Sequence, residues 1–136
     1  MVARNFAPPD AGDIVWCRFP HEGFVKPGPK PRPALVIDVG SLRGEPAVEV
    51  LYGTSRKINA VYPGEFAITP ADGSAYTLSG LSYPTKFNTP RSVFLPYNDM
   101  WFAPAPGAPY GQTPKLGVLH PSLLPRVAAA ARRKRH

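Results

Sequence analysis

Prolines and glycines divide this chain into short segments and so limit what it can fold into. Nineteen prolines and 12 glycines occur among its 136 residues. Proline lacks a backbone N–H, ends helices, and is confined to the edges and bulges of sheets. The runs between these breaks are short and rich in β-branched and aromatic residues, which is typical of strands. The sequence therefore predicts a mostly β fold with no long helix before the C-terminus.

The predicted strands are short and apolar. They lie at residues 13–19, 33–39, 47–54, 65–68, 81–87 and 92–97, and a short edge piece is a further candidate at 100–102. In the first strand, Val15 and Cys17 share one face and Ile14 and Trp16 share the other. Apolar residues on both faces indicate an interior strand, or a strand whose second face meets a partner.

The N-terminal segment is predicted to be a flexible arm, and the C-terminal segment is predicted to form a helix. Residues 1–12 are interpreted as a flexible arm, and residues 13–136 as a single domain. Ser122 is a candidate N-cap for a helix at about 122–133 that ends in a basic tail. Its predicted apolar face consists of Leu124, Val127, Ala128 and Ala131.

The charge of the chain predicts a polyanionic partner. Its formal net charge is +7, which favours phosphate contacts because these release condensed counterions. Cys17 is the single cysteine, so no intrachain disulfide forms, and its apolar strand predicts a buried thiol. The first residues lack the apolar core of a signal peptide, and no apolar run reaches the length of about 20 residues that a membrane span needs. These features predict a soluble, cytoplasmic protein.

Arg32 is the strongest candidate for a functional residue. It lies in a basic, proline-rich loop at 20–32 that leads directly into an apolar strand. Pro31 and Pro33 hold their neighbours extended, so the arginine is presented from a rigid segment. A guanidinium fixed in this way is suited to binding a phosphate through two parallel hydrogen bonds. The alternative is an ordinary charge at the end of a strand.

Several segments resemble the MazF/PemK toxins of toxin–antitoxin systems. Gly-Asp-Ile-Val-Trp at 12–16, a long loop, and Arg-Pro-Ala-Leu-Val-Ile at 32–37 are similar to the opening of that family. The residues at 84–91 and 115–119 follow the same order. The resemblance implies a small, twisted, SH3-like (CcdB/MazF-type) β-barrel with a C-terminal α-helix. It also implies a homodimer that an acidic, partly disordered antitoxin holds inactive.

The resemblance further implies a metal-independent, sequence-selective endoribonuclease that needs no cofactor. It would cut single-stranded RNA, leaving 2′,3′-cyclic phosphate and 5′-hydroxyl ends. Such cleavage needs a base for the 2′-hydroxyl, an acid for the leaving oxygen, and a donor for the charged phosphorane. Arg32 suits the donor role, and the family's second active-site position falls on Thr54. His21 is the candidate catalytic base, with Glu22 as an alternative.

Other residues are predicted to line the path of the RNA. They are Glu22, Phe24, Lys26, Lys30, Ser55, Arg56, Lys57, Lys86 and Asn88. Lys86 and Asn88 occupy places where some relatives carry an arginine and an aspartate. Asparagine does not titrate, so either His21 or Glu22 acts as the base, or catalysis rests on electrostatic stabilisation and is slow. Scattered carboxylates and the lack of His or Cys pairs give no support for a metal site.

Two alternatives share the same fold. A CcdB-type protein would poison gyrase by contact and cut nothing, although the basic C-terminal tail of this chain is unlike the contact residues of that group. A derivative that binds RNA without cleaving it is the other alternative, and the Lys86 and Asn88 departures would permit it.

Overall fold

The strands of the computed structural model, which describes residues 3–20 and 26–133, form one antiparallel sheet. They are β1 Asp13–Cys17, β2 Arg32–Leu42, β3 Glu45–Thr54, β4 Glu65–Ile68, β5 Thr85–Pro96 and β6 Lys115–Val118. Their order across the sheet is β4-β5-β3-β2-β1-β6. The outer strands β4 and β6 do not pair with each other, so these six strands form an open sheet. The predicted mostly β class is confirmed.

Both faces of the sheet are covered by apolar side chains. On one face, Ile14, Leu35 and Leu51 pack with residues of the helices α1 Ser74–Ser79 and α2 Leu124–Arg133. The opposite face of the sheet is covered by a second cluster, which contains Val15, Cys17, Ala34, Val36, Val48, Val50, Leu95, Tyr97 and Phe102. Strand β1 is therefore an interior strand, as one of the two interpretations predicted.

Burial also sets the chemistry of the single cysteine. The Cys17 side chain is fully buried in β1, as predicted. Removal from water raises the pKa of its thiol far above the ordinary value, because the thiolate is poorly solvated there. The residue is therefore a small core side chain rather than a nucleophile.

Strand β5 differs from the prediction of two separate strands at 81–87 and 92–97. It runs without a break from Thr85 to Pro96, and its register against β3 shifts between Leu51 and Tyr52. Leu51 lies opposite Ser92, whereas Tyr52 lies opposite Asn88. Residues 89–91 are therefore left out of the ladder at Pro90, which has no N–H to donate. The prediction was wrong because the proline interrupts the ladder without ending the strand.

Helix α1 was not predicted from the sequence. Pro70–Asp72 form a 3₁₀ turn with a capping box, in which Thr69 Oγ1 accepts from the N–H of Ala71 and the Thr69 N–H donates to Asp72. The helix that follows has the six residues Ser74–Ser79. Its C-cap is Gly80, whose φ is +71°. A helix this short carries too few turns for its apolar period to be recognised.

The C-terminal helix is present but begins differently. Pro121–Leu123 form a 3₁₀ turn capped by His120, whose Nδ1 accepts from the N–H of Ser122 at 3.1 Å, and α2 starts at Leu124. The predicted apolar face is partly wrong, because Leu124 is 56% exposed. The side chains that pack on the sheet are Leu123, Val127 and Ala130.

Two segments outside the six strands contribute to the second apolar cluster. In the described part of the predicted arm, residues 3–12, the N–H of Phe6 donates to the carbonyl of Tyr97 at 3.0 Å, and the Phe6 ring joins the second apolar cluster. The candidate edge piece at 100–102 contributes only an isolated bridge between Phe102 and Cys17. The flexibility of the arm stays a prediction.

The ion pair between Asp72 and Arg126 is predicted to make the free energy of unfolding depend on pH in the acid range. Arg126 binds both carboxylate oxygens, at 2.9 and 3.0 Å, and its hydrogen bonds lower the pKa of Asp72. This contribution is present above the unfolded-state pKa of about 3.9 and is lost as pH falls through the lower folded value. Because the pair is half-exposed, Asp72→Asn should lower the free energy of unfolding by no more than about 1 kcal/mol at pH 7. Urea denaturation between pH 2 and 7 measures both effects.

The matched control for that measurement is Asp38→Asn. The carboxylate of Asp38 accepts a hydrogen bond only from the adjacent N–H of Val39 among the residues described, and the residue is exposed. Removal of the Asp38 carboxylate should leave the pH dependence of the free energy of unfolding as it is in the wild type. An Asp72→Asn variant with the full acid dependence of the wild type would contradict the assignment.

Candidate functional site

A groove of about 540 Å³ lies where β2 begins and β3 ends. Five separate parts of the chain meet there: strand β1, the basic loop that leads into β2, the end of β3, the loop before β5, and the segment that leads into β6. Its lining residues are Trp16, Lys30, Pro31, Arg32, Pro33, Gly53, Thr54, Ser55, Gly80, Leu81, Ser82, Tyr83, Thr85, Pro106, Pro109 and Leu116. Both residues of the predicted active-site pair are among them.

The register of the sheet accounts for the proximity of Arg32 and Thr54. Ala34 lies opposite Tyr52 in the antiparallel pairing of β2 with β3. The same register, extended by two residues, places Arg32 opposite Thr54. Side chains directly opposite each other in an antiparallel pair lie on the same face, with Cβ atoms about 5 Å apart. The two residues are therefore neighbours at this end of the β2–β3 pair, and both line the groove.

Arg32 enters the groove from a constrained backbone. It pairs with Cys17 of β1, and it is flanked by Pro31 and Pro33. Gly53 on β3 is packed so closely that a Cβ there would lie 2.5 Å from the carbonyl oxygen of Pro33 and 2.8 Å from the ring of Phe87. This close approach fixes the spacing between β2 and β3 directly beside the pair.

The Thr54 hydroxyl is held by the turn that follows β3. Its Oγ1 accepts a hydrogen bond from the N–H of Arg56 at 3.1 Å. This contact uses one acceptor position, so the O–H group remains able to donate to a bound oxygen. Thr54 is thus oriented by its own backbone while its proton stays available for a ligand.

The groove is positive. Among its lining residues in the described ranges, Lys30 and Arg32 carry charge and no carboxylate or histidine is present. Arg32 forms no ion pair with any carboxylate in the part of the chain that the structure describes. The residue as a whole is half-buried, and an arginine without such a partner favours an anionic ligand, since its guanidinium forms charge-assisted hydrogen bonds to a phosphate.

The other predicted residues fall into three groups. Ser55 lines the groove, and Arg56 and Lys57 lie exposed on the turn that follows it. Lys26 is exposed and lies outside the groove lining. His21, Glu22 and Phe24 lie outside the described residues, so the candidate base stays a prediction.

Lys86 and Asn88 lie away from the groove lining. The side chain of Lys86 is 6% exposed, and its Nζ binds Glu65 Oε1 at 3.0 Å and the carbonyl of Ala60 at 2.8 Å. It also lies 5.1 Å from the centre of the Tyr62 ring. Asn88 is paired with both Tyr52 and Glu65 in the sheet. These contacts tie the loop after Thr54 to β4 and β5.

Two lining residues had no part in the predicted site. Ser82 and Tyr83 lie in the loop between α1 and β5, in a segment that the sequence suggested was a strand. Tyr83 is 69% exposed, which an apolar strand prediction would not suggest. The signal in the sequence was Pro84, which disfavours regular structure at the residue before it.

Trp16 is an aromatic residue that lines the groove wall. The ring of Tyr52 is covered by Arg91, whose guanidinium carbon lies 4.6 Å from the ring centre. Phe87 is fully buried in the core. Of these three aromatic rings, only Trp16 is placed to contact a ligand in the groove.

Comparisons with known proteins assign no activity to this chain. Neither a protein-family model nor a curated protein matches the chain. No group of three His, Cys, Asp or Glu side chains within residues 3–20 and 26–133 is arranged to hold a metal ion. None of the helices in those ranges has the length and apolar character to cross a bilayer.

Removal of Lys86 is predicted to destabilise the attachment of the loop after Thr54 to β4 and β5. Lys86→Met would leave the partly buried Glu65 carboxylate without its cation, and breaking a fully buried pair in this way costs at most about 3–5 kcal/mol. The Lys86→Met/Glu65→Gln double variant should recover part of that loss, because no unpaired charge remains. Urea denaturation of the single and double variants measures the coupling.

Lys57→Met is the control for this series, because Lys57 is an exposed lysine of the loop that Lys86 attaches to the sheet. We expect a change within about 0.5 kcal/mol for it. A loss for Lys86→Met no larger than that of the control would refute the structural role of the buried pair.

Proposed function

We propose that this chain is a metal-independent endoribonuclease that cuts single-stranded RNA, as the MazF/PemK toxins do. The observation that carries the proposal is the placement of Arg32 and Thr54 in one positive groove. The guanidinium has no partner among the described carboxylates, and the hydroxyl can donate. A phosphodiester in this groove would meet two donors of the kind that stabilise a charged phosphorane.

The reaction proposed here is attack of the ribose on its own phosphate. A base removes the 2′-hydroxyl proton, O2′ bonds to phosphorus, and the bond from phosphorus to O5′ breaks. The departing O5′ takes up a proton, which leaves a 2′,3′-cyclic phosphate and a 5′-hydroxyl. Arg32 would stabilise the charge on the non-bridging oxygens, and Thr54 would donate to a phosphate or ribose oxygen. The base would be His21 or Glu22.

Cations beside the groove supply a path for the RNA backbone. Lys30 lines the groove, and Arg56 and Lys57 lie exposed on the turn that follows Ser55. Each phosphate that they neutralise releases counterions, so binding should weaken steeply with salt. Lys86 contributes to the proposed function through the loop that it anchors, since its charge is paired with Glu65.

The rest of the proposal follows the same family resemblance. The open, bulged sheet with its C-terminal helix would be a variant of the SH3-like barrel, and the protein would be a cytoplasmic homodimer. Three exposed apolar side chains support a contact with a second copy. They are Ile37 and Val39 on β2 and Phe94 on β5. An acidic, partly disordered antitoxin would bind the basic surface and block cleavage.

RNA binding without cleavage is the second candidate. It is favoured by the lining of the groove, in which no described residue is a histidine or a carboxylate. With no base available, the same groove would hold a phosphodiester and leave it intact. Salt-sensitive binding of RNA without cleavage products would select this candidate.

Replacement of Arg32 is predicted to abolish cutting and leave the fold intact. Loss of a donor to the phosphorane typically reduces the rate by about 100- to 1,000-fold, so Arg32→Ala should cut at no more than about 1% of the wild-type rate. Thr54→Val should lose about tenfold, as expected for one hydrogen bond to a charged group. Single-turnover cleavage of a defined RNA in EDTA, with end-group analysis, measures both.

The matched control is Arg132→Ala, which removes an exposed cation of α2 remote from the groove lining. It should cut at the wild-type rate, and thermal unfolding should show that all three variants are folded. Full activity of Arg32→Ala would remove the proposed role of the groove, and a requirement for added metal would contradict the mechanism.

A further inference from the structure

Tyr83 is a large aromatic residue that the fold leaves in solvent. It is 69% exposed, more than any other large apolar or aromatic side chain that the structure describes. It lies in the loop between α1 and β5 and lines the same groove as Arg32 and Thr54. The contacts of its neighbours show whether this exposure belongs to a loose loop or to a fixed one.

The backbone on both sides of Tyr83 is fixed. Gly80 has φ of +71°, and a Cβ there would lie 1.9 Å from the carbonyl oxygen of Leu116, so the loop passes directly against β6. Leu81 is 7% exposed and belongs to the core. On the other side, Thr85 Oγ1 donates to the carbonyl of Tyr83 at 2.8 Å. The ring is therefore presented to solvent from a rigid loop.

The faces of the Tyr83 ring are available, in contrast to those of other exposed tyrosines. Lys86 Nζ lies 5.1 Å from the ring centre of Tyr62, and Lys115 Nζ lies 4.6 Å from that of Tyr110. Within the described ranges, no cation or aromatic ring is stacked on Tyr83. This availability matters because ring faces bind nucleobases and cations alike.

The surroundings of Tyr83 favour a nucleobase over a cation. Arg32 and Lys30 line the same groove, and the described residues that line it include no carboxylate, so a cationic ligand would be repelled. A nucleotide instead offers a phosphate to the guanidinium and a flat ring to the aromatic side chain. Trp16, on another wall of the groove, supplies a second aromatic surface.

We propose that Tyr83 forms the base subsite of the groove, stacking on a nucleobase next to the phosphodiester that Arg32 holds. This inference rests on the proposed function, because it assigns the RNA a position in the same groove. Stacking on a ring is tolerant of base identity, so Tyr83 would supply affinity and register along the strand more than sequence choice. Its phenolic O–H is not required for stacking.

The experiment compares short RNAs with and without bases. The full-length chain is titrated, by fluorescence anisotropy, with labelled 2′-O-methyl hexanucleotides of A, C, G and U, which cannot form the cyclic phosphate. A sugar–phosphate hexamer that lacks all bases is the second probe. Tyr83→Ala should bind the best of the four base-containing hexamers about tenfold more weakly, as expected for the loss of one stacking contact. Its affinity for the abasic hexamer should equal that of the wild type.

Two variants make the comparison specific. Tyr83→Phe keeps the ring and should bind like the wild type. Tyr110→Ala removes an exposed tyrosine that does not line the groove, and it should also leave affinity unchanged. Wild-type affinity of Tyr83→Ala for the base-containing hexamers would overturn the subsite, and so would an equal loss on the abasic probe.

The outcomes separate this inference from the nuclease itself. Tyr83-dependent binding by a protein that never cuts the matching unmodified RNA would support the subsite and overturn the nuclease. Cutting that depends on Arg32, together with binding independent of Tyr83, would overturn the subsite alone. No binding of any hexamer by the wild type would overturn the subsite and leave the nuclease to be judged by cleavage.

Discussion

The pairing of β2 with β3 is the constraint on which the candidate site depends. Its register, extended by two residues beyond the pair of Ala34 and Tyr52, places Arg32 opposite Thr54, and the close approach of Gly53 to the Pro33 carbonyl fixes the distance between the two strands at that point. A slip by one residue would turn every side chain of β2 to the other face and remove Arg32 from its neighbour. Such a slip is opposed by both apolar clusters, because Leu35 and Val36 fill opposite sides of the sheet.

The loop that follows Thr54 contributes both to the stability of the fold and to the proposed function. This loop is tied down at its far end, where the buried Lys86 binds the carbonyl of Ala60 and the carboxylate of Glu65. The bulge of β5 adds a second attachment, since both the N–H and the hydroxyl of Thr89 donate to the carbonyl of Gly64. These contacts fix the loop after Thr54 to the sheet, while the charged and aromatic groups that line the groove are able to meet a ligand. Such preorganised donors are what electrostatic stabilisation of a reacting phosphate requires.

Much of the sheet could be predicted from the sequence, and the reasons for the misses are physical. The strand at 65–68 was predicted with its observed bounds, and the apolar residues on both faces of the first strand indicated its interior position. The course of β5 was missed because a proline within a bulge resembles a break. Lys86 resembled an exposed cation, since only the register of β4 against β5 shows that Glu65 lies within reach. Tyr83 was missed for the same reason, because its exposure depends on where Gly80 and Leu81 anchor the loop.

The central claim is that Arg32 binds a phosphodiester in the groove, and the most direct measurement is an NMR titration of the arginine side chains. The Nε–Hε signal of Arg32, assigned by comparison with Arg32→Lys, would be followed as an uncleavable 2′-O-methyl RNA is added. The account predicts a saturable shift of this signal that is reversed by salt, because the contact is charged. RNA binding that shifts the signal of exposed Arg56 and leaves that of Arg32 unchanged would contradict it.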